Sequence, residues 1–479
     1  MLKILKRYKD MPITAKVSIA YAVCSILQKC LSFITLPLFT RLLTTEQYGQ
    51  YNVYTSWSAI ITIFVTLNLA YGSFSKAMVK FEDDRDAYIA SIQGISTVLG
   101  VAFLLIYFPF RKYLNKLFEL PTELVILMVA EIVMLNAILC WNGKKRFEFK
   151  YKGVVAITLL MSVISPVLAY FMVVNSEEKG YARIVGYAAI TIFVGLVLYI
   201  VNLLKGKSFI NKTYWKYALG FNVPLIVYYL SQVIFNQSDR IMISHMVGTD
   251  KAGIYGVAYS LAIILNFVLN SINNSYQPWF YGKIKAGEEH ENKKISNGIA
   301  VLMGILLLGI IAMAPEIILI MAGKKYAEAV WIVPPVAGSI LLLLYSQYCI
   351  NIEFYYEKKK KLVYASIAAA ILNILLNAML IPVFGYIVAG YTTWISYIVF
   401  VLMNYIEMLK ILKEDNKEQN IYDVRFLLTF FALFTLASII FLVFYKLYII
   451  RYALVLLFGL ICFLCRKRLL KVYNSILKK

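Results

Sequence analysis

The feature that most constrains this chain is a series of apolar segments, each long enough to cross a bilayer as a helix. A helix needs about 20 apolar residues for one crossing. Hydrophobic residues make up 61% of the 479-residue chain and charged residues 15%, against about 45–50% and about 25% in soluble domains. We therefore predict an all-α polytopic membrane protein with about 14 transmembrane helices. The segments are 14–41, 52–72, 87–110, 123–141, 153–174, 181–204, 217–243, 254–277, 296–314, 328–351, 362–382, 384–408, 426–446 and 450–465.

The lysines and arginines are distributed unequally between the two sides that these segments define. Of the 48 basic residues, 35 lie at the termini and in the even-numbered gaps, 12 lie in the odd-numbered gaps, and Lys29 lies inside a segment. Short basic loops stay in the cytoplasm. We expect a multi-pass protein of the bacterial inner membrane with both termini cytoplasmic.

The net charge of +22 has the same explanation, so it does not indicate nucleic acid. Its second expected effect is attraction to anionic membrane lipids. The six cysteines lie in or beside apolar segments, and the two histidines, His245 and His290, fall in loops on opposite sides. Neither pattern predicts a disulfide framework or a metal site, and no cofactor is expected.

An internal repeat divides the chain. Residues 45–53 and 249–257 both read T-[DE]-x-x-G-x-Y-x-V at an offset of 204. Six segments separate the copies, so the two halves share one orientation and should be related by an axis along the membrane normal. Each motif is interpreted as an external turn in which Thr45 or Thr249 caps the next helix. We expect six-helix lobes at 1–210 and 211–410, and two further helices with a basic cytoplasmic tail at 411–479.

Lys29 is a cation at membrane depth. It lies thirteen residues beyond Lys16, which is about 20 Å along a helix, and shares a helical face with Ser18, Ser25 and Ser32. An ionisable group near the bilayer centre is a functional hypothesis by default. We favour a position facing a wet cavity between the lobes; the alternative is a structural ion pair.

A second polar face runs along segment 254–277. It consists of carboxamides at helical spacing, which would be unfavourable against lipid: Asn266, Asn270, Asn273, Asn274 and Gln277. Hydrogen bonding between helices is one interpretation. The other is a cavity wall that binds sugar hydroxyls. Two smaller faces, Thr55 to Thr66 and Asn373 with Asn377, would extend a shared aqueous path.

Four further charged residues are candidates for substrate or ion binding. Glu131 lies in the middle of the fourth segment, where it is either a coupling-ion site or a partner of Lys29. Asp239 and Arg240 lie near the outer end of the seventh segment, and adjacent helical residues point to different faces. Arg41 ends the first segment, where it either anchors the helix at the interface or binds phosphate bidentately.

Signatures of catalysis are not found. The nearest approach to a phosphate-binding loop, at Gly206-Lys207-Ser208, has Val201 where the leading glycine is required. No long external loop offers room for glycosyl transfer. We predict that the protein is not an enzyme and that a gradient or the substrate itself supplies the energy.

Two sequence stretches resemble the polysaccharide transporter family, the Wzx-type oligosaccharide flippases of the MOP exporter superfamily. The first is Ser32-Phe-Ile-Thr-Leu-Pro-Leu-Phe-Thr-Arg-Leu-Leu43, followed by Glu46-x-Tyr-Gly-x-Tyr51. The second comprises Pro224, Ser238-Asp-Arg-Ile-Met-Ile243 and Gly253-Ile-Tyr255. The likeness extends over the whole chain in length, lobe number and repeat offset.

The resemblance implies a pair of six-helix lobes that alternates access to the two leaflets. Its cargo would be an undecaprenyl-pyrophosphate-linked oligosaccharide for O-antigen or capsule synthesis, with H⁺ or Na⁺ as coupling ion and the polysaccharide polymerase machinery as a partner. Lys29, Arg41 and Arg240 would then bind pyrophosphate, the asparagine face would bind sugar, and Glu131 and Asp239 would bind the coupling ion. The related lipid II flippases place several arginines in the cavity, whereas this chain has a central lysine.

Two alternatives remain open at this point. A multidrug or other ion-coupled exporter of the same superfamily would favour acidic residues within the lobes, and Glu131 fits that option. A membrane glycosyltransferase would need paired carboxylates or a large external loop, and neither is evident in the sequence.

Overall fold

The computed structural model describes residues 11–288, 291–358, 360–414 and 421–464. These residues form α-helices joined by short turns and 3-10 segments, with no strand among them, which confirms the predicted all-α fold. The basic tail, Cys465 and His290 lie outside the described ranges. The helices are α1 Ile13–Leu42, α2 Thr45–Thr66, α3 Phe74–Lys80, α4 Arg85–Phe118, α5 Thr122–Phe147, α6 Tyr151–Val174, α7 Lys179–Gly206, α8 Lys212–Asn222, α9 Ile226–Met246, α10 Thr249–Ala286, α11 Asn292–Ala312, α12 Ala314–Ala322, α13 Val333–Tyr355, α14 Lys360–Phe384, α15 Val388–Glu414, α16 Val424–Val443 and α17 Tyr448–Leu464.

Twelve helical segments in these ranges are long and apolar enough to cross a membrane. They correspond to twelve of the fourteen predicted segments, with α8 and α9 together forming one of them. The other two predicted segments are also helical, but α2 has too many polar residues to qualify and α17 has only 17 residues. The number of fourteen crossings therefore stays a prediction.

The repeated motif lies within helices and is not a turn. The cap of α2 is Thr44, one residue before the predicted Thr45: its Oγ1 accepts from the Gln47 backbone N–H at 3.1 Å, and the Gln47 side chain accepts from the Thr44 N–H at 3.0 Å. This reciprocal pair satisfies two donors that a helix start leaves free. The N-cap of α10 is Gly248, so Thr249 is likewise already helical. The acids Glu46 and Asp250 do lie in the first turns, as predicted.

The contacts between residues divide the chain into two units, Met1–Ile241 and Met242–Lys479. The repeat predicts a boundary at 210/211, whereas the contact boundary falls inside α9. The reason is that α8 packs within unit 1. The Trp215 indole N–H donates to the Ser91 carbonyl at 3.0 Å, and the Asn222 amide donates to Ser73 Oγ at 2.8 Å.

Within unit 1, helices α5, α6 and α7 are in close contact because glycines remove side chains from the contact surfaces. A Cβ on Gly186 would lie 2.5 Å from the Ala169 Cα, and one on Gly195 would lie 2.5 Å from the Met134 Cβ. Such small-residue contacts are typical of helix packing in membranes, where no hydrophobic force pulls helices together. They bring α7 against α6 and place α1, which packs on α6, beside both.

Within unit 2, helices α13 and α15 run parallel in close contact. A Cβ on Gly338 would lie 2.8 Å from the Trp394 indole nitrogen, and one on Gly390 would lie 3.1 Å from Pro335. Both contacts join positions 55 or 56 residues apart, which sets the register of the two helices. The 38 residues of α10 extend for about 57 Å at 1.5 Å per residue, well beyond a bilayer core.

Candidate functional site

Lys29 lines an open cavity of about 310 Å³, and the residues that line it come from α1, α6 and α7 of unit 1. A position of Lys29 between the lobes stays a prediction. The cavity wall includes four hydroxyl side chains from two of these helices, Ser32, Thr35, Ser162 and Ser165, together with Tyr187 from α7. The Ser32 hydroxyl donates to the Gln28 carbonyl at 2.9 Å and the Ser162 hydroxyl donates to the Thr158 carbonyl at 2.7 Å. Their oxygen lone pairs therefore stay available to a ligand or water.

The Lys29 ammonium is exposed and forms no ion pair within the described chain. The carboxylate of Glu131, its predicted alternative partner, is engaged elsewhere: it accepts a hydrogen bond from the Tyr54 hydroxyl on α2 at 2.8 Å. The structural ion pair considered for Lys29 is therefore not formed. The cavity keeps an uncompensated positive charge midway along α1.

The carboxamide face of α10 is split between two environments. Asn273 faces α13: its amide donates to Gln347 at 3.4 Å, and it accepts from the Asn351 amide at 2.9 Å. Asn270 and Asn274 are exposed instead. Helix–helix hydrogen bonding therefore explains one part of the predicted face and leaves the other part open.

The two ends of the carboxamide face, Asn266 and Gln277, are partly buried within unit 2. Asn266 lines a small cavity of about 20 Å³ with Ser339 and Thr393, and the Gln277 amide donates to the Tyr281 hydroxyl at 2.9 Å. The exposed amides of Asn270 and Asn274 are joined by two exposed hydroxyls, Ser271 and Ser275.

The predicted residues of α9 are buried. Asp239 is 2% exposed and Arg240 is 7% exposed. The Arg240 guanidinium donates to Gln237 Oε1 at 2.8 Å, and the Ser56 hydroxyl of α2 donates to the same oxygen at 3.2 Å. Arg240 therefore takes part in a hydrogen-bonded connection between α9 and α2. Arg41, in contrast, is exposed in the last turn of α1.

The sequence pattern predicts that Asn373 and Asn377 line an aqueous path, but the structure does not show this. Both are fully buried between α14 and α15. The Asn373 amide donates to Thr393 Oγ1 at 3.1 Å, the Asn377 amide donates to Asn373 Oδ1 at 3.3 Å, and the Thr392 hydroxyl donates to Asn377 Oδ1. In the described ranges, no three His, Cys, Asp or Glu side chains come together as a metal site.

Arg183 is a buried cation that sequence reasoning missed. It lies on α7, is 5% exposed, and its guanidinium carbon is 3.8 Å from the ring centre of Tyr51 and 4.6 Å from those of Phe39 and Tyr48. Its Nε and Nη1 have no hydrogen-bond acceptor, so the three aromatic faces stabilise the charge. In the sequence Arg183 resembles a loop charge, because only three residues separate it from Lys179.

A basic cluster near the end of α5 was likewise counted only as an orientation signal. Lys144 is 8% exposed and pairs with Asp86 at 2.5 Å and Glu148 at 3.3 Å, and Glu148 also pairs with Lys145 and Lys150. Burial raises the pKa of Glu148, but hydrogen bonds from Lys145 and Lys150 and the charge of Lys144 outweigh it and lower this pKa to about 2. The cluster attaches α5 to the start of α4.

Residues 14–282 match the family described as polysaccharide biosynthesis protein. A protein of the Lsg locus of Haemophilus influenzae is 24% identical over 391 residues, which are 77% of this chain and 90% of the relative. A membrane protein of the same organism is 22% identical over 368 residues, covering 74% of this chain and 88% of the relative.

Two solved structures have a similar fold. The lipid II flippase MurJ in an inward closed conformation superposes with a TM-score of 0.70 at 14% identity, over 94% of this chain and 99% of its own. An inward-facing multidrug resistance MATE family transporter of the MOP superfamily has a TM-score of 0.55 at 14% identity, over 83% of this chain and 99% of its own. The chain therefore shares the fold of these two transporters, as predicted.

Proposed function

Because this chain belongs to the polysaccharide biosynthesis protein family, we propose that it is a membrane flippase for a lipid-linked oligosaccharide. Its cargo is an undecaprenyl-pyrophosphate-linked repeat unit, moved from the inner to the outer leaflet of the bacterial cytoplasmic membrane by alternating access. The product would supply O-antigen or capsule synthesis through a polysaccharide polymerase. The fold shared with a lipid II flippase is consistent with this class of cargo.

The observation that carries the proposal is the uncompensated charge of Lys29 in a hydroxyl-lined cavity. A pyrophosphate brings about two negative charges toward a region of low dielectric, where an unpaired charge costs several kcal/mol. A lysine ammonium offers three donors and a full positive charge. The serine oxygens of the cavity can accept hydrogen bonds from water or from the first sugar.

The exposed amides of α10 suit the carbohydrate part of the cargo. Asn270 and Asn274, with Ser271 and Ser275, offer paired donors and acceptors on one exposed helix face. Sugar hydroxyls need both kinds of partner, and amide and hydroxyl groups provide them without net charge. Arg41 and Arg240 remain proposed phosphate contacts, although the burial of Arg240 favours a role in holding α9.

A multidrug exporter is the second function that this fold supports. An uncompensated lysine in the cavity would repel cationic drugs, because like charges are destabilising at low dielectric. The lipid-linked anion is therefore the better match. We further propose Glu131 and Asp239 as binding sites for H⁺ or Na⁺ as the coupling ion.

The test is flipping of a fluorescent lipid-linked oligosaccharide in proteoliposomes. Lys29→Ala should nearly abolish flipping, and Lys29→Arg should keep part of it because the charge persists in a different geometry. Lys112→Ala, which removes an exposed lysine of α4 far along the sequence from the cavity helices, is the matched control and should leave the rate unchanged. A Lys29→Ala protein that flips at the wild-type rate would overturn the proposal.

A further inference from the structure

Unit 2 contains a buried carboxylate with no described partner. Glu353 lies on α13, two residues before the helix ends, and is 1% exposed. Neither of its carboxylate oxygens has a hydrogen-bond donor or a cation within reach in the described part of the chain. An ionised carboxylate in such a place costs several kcal/mol, and the group avoids that cost by binding a cation or a proton.

A second acid faces this carboxylate from the neighbouring helix. The register of 55 to 56 residues between α13 and α15 brings residues 404–408 beside residues 349–353, and Glu407 interacts electrostatically with Glu353. Glu407 is itself 9% exposed. One turn earlier on α15, Asn404 is 1% exposed and its Oδ1 oxygen also has no donor. Three acceptor oxygens without donors therefore lie in one part of the α13–α15 contact.

Among the described side chains, no cation pairs with Glu353. Cys349, one turn earlier on α13, carries a thiol, and α10 offers the amide of Asn273, which accepts a hydrogen bond from Asn351. The lysines Lys293 and Lys294 of α11 form no ion pair with it among the described side chains. Lys358, beyond the end of α13, forms an exposed ion pair with Glu414 at 2.8 Å.

We infer that Glu353 is a proton-binding site, because its carboxyl group is buried, has no donor among the described residues and faces a second acid, Glu407. The proton binds one carboxylate oxygen of Glu353, and the resulting O–H can donate to Glu407 or to Asn404 Oδ1. Release returns the proton to water through the end of α13, which the charge distribution assigns to the cytoplasm. This site differs from Glu131 and Asp239, which lie in unit 1.

The use of this proton to drive transport rests on the proposed flippase function. Movement of α13 against α15 would change the distance between the two acids, and protonation of Glu353 would favour the arrangement in which they are close. Proton binding itself does not depend on the cargo, so the two ideas can fail separately.

The test is infrared difference spectroscopy of the full-length protein in lipid vesicles, titrated with acid and base. The wild type should show the C=O stretch of a buried carboxylic acid at neutral pH. Glu353→Gln should lower the intensity of this band by the share of one carboxylic acid, because Glu131 is a second, partly buried acid. Glu123→Gln, which changes an exposed acid of α5, should leave the intensity unchanged. Glu407→Gln should move the disappearance of the Glu353 share to lower pH, because a repelling charge is removed.

Thermal stability provides an independent check in case the spectra of a variant are weak. A glutamine resembles a protonated glutamate, so Glu353→Gln should unfold at the wild-type temperature or above it at neutral pH. A wild type without the band, a band of unchanged intensity in Glu353→Gln, or a Glu353→Gln protein that unfolds well below the wild type would each overturn the inference. Stabilisation by Na⁺ but not K⁺ that depends on Glu353 would also overturn it, because the site would then hold a metal cation.

Discussion

The Tyr54 hydroxyl donates a 2.8 Å hydrogen bond to the Glu131 carboxylate, joining α2 to α5 in the interior of unit 1. Tyr54 is 4% exposed and belongs to a cluster of buried apolar residues around these helices, which includes Ile61, Val65 and Met128. A carboxylate in such surroundings depends on its donor. The pair therefore links the packing of the unit to a proposed ion-binding residue.

Tyr54→Phe should lower the free energy of unfolding by about 1–3 kcal/mol, because it leaves a buried acceptor without its donor. Glu131→Gln should lower the free energy of unfolding by less, since the glutamine amide oxygen can still accept the hydrogen bond from Tyr54. A double-mutant cycle in detergent, followed by thermal unfolding, measures the coupling. Additive effects of the two substitutions would mean that the hydrogen bond contributes nothing.

The proposed coupling role of Glu131 predicts a different result in transport. Glu131→Gln should still bind the lipid-linked oligosaccharide but lose the dependence of flipping on an imposed ion gradient. Flipping rates in proteoliposomes with and without the gradient measure this. If the dependence survives in Glu131→Gln, the coupling residue lies elsewhere, and Asp239 is the next candidate within unit 1.

The two environments of the α10 amides predict separable effects. Asn270→Leu combined with Asn274→Leu should impair sugar export while the protein inserts and unfolds as the wild type does, because both side chains are exposed. Asn273→Leu, the matched control, should instead lower stability by about 1 kcal/mol or more through its lost hydrogen bonds to α13. Unchanged export in the double variant would show that the exposed amides do not bind cargo.

The aromatic surroundings of Arg183 predict that ring faces, and not hydroxyls, stabilise this cation. Tyr51→Phe should leave the unfolding temperature nearly unchanged. Tyr51→Leu should lower stability by about 1–2 kcal/mol, because the closest ring is removed from a desolvated guanidinium. Thermal unfolding of the two variants, measured side by side, distinguishes the ring from the hydroxyl. Equal losses of stability in Tyr51→Phe and Tyr51→Leu would mean that the hydroxyl stabilises Arg183.

The low pKa of Glu148 predicts a pH dependence of stability at the α4–α5 connection. The folded-state pKa, about 2, lies below the ordinary value of 4.5, so the unfolded chain binds the proton more readily. The stabilisation is therefore complete above about pH 4.5 and is lost as the pH falls toward 2. Glu148→Gln should remove about 1 kcal/mol at neutral pH after allowance for solvent screening, and should flatten the acid side of the stability profile.

Apparent unfolding temperatures measured from neutral pH down to about pH 3 test this sign. Glu123→Gln serves as the control, because it changes an exposed acid at the start of the same helix. The profile of this control should run parallel to that of the wild type. If the unfolding temperature of Glu148→Gln also changes with pH in parallel with the wild type, the low pKa assigned to Glu148 is wrong.

The local pattern of residues determined the fold class, because backbone groups in lipid must be satisfied within a helix and apolar length is therefore a direct signal. It located the helices well and also identified the family, since the stretches at 32–51 and 224–255 carry the resemblance. The caps were placed one residue late. The sequence Thr44-Thr45 offers two capping residues, and only the backbone geometry selects between them.

Tertiary structure alone decides which polar residues contact one another. Glu131 could have met Lys29 or another helix, and the packing of α2 against α5 brought it to Tyr54. In the sequence Glu353 stands five residues before Lys358 and so resembles an ordinary charge at a helix end. Its burial and its neighbour Glu407 follow from the register between α13 and α15, which glycines 338 and 390 set. Contacts between helices far apart in sequence depend on such packing, and no local pattern records them.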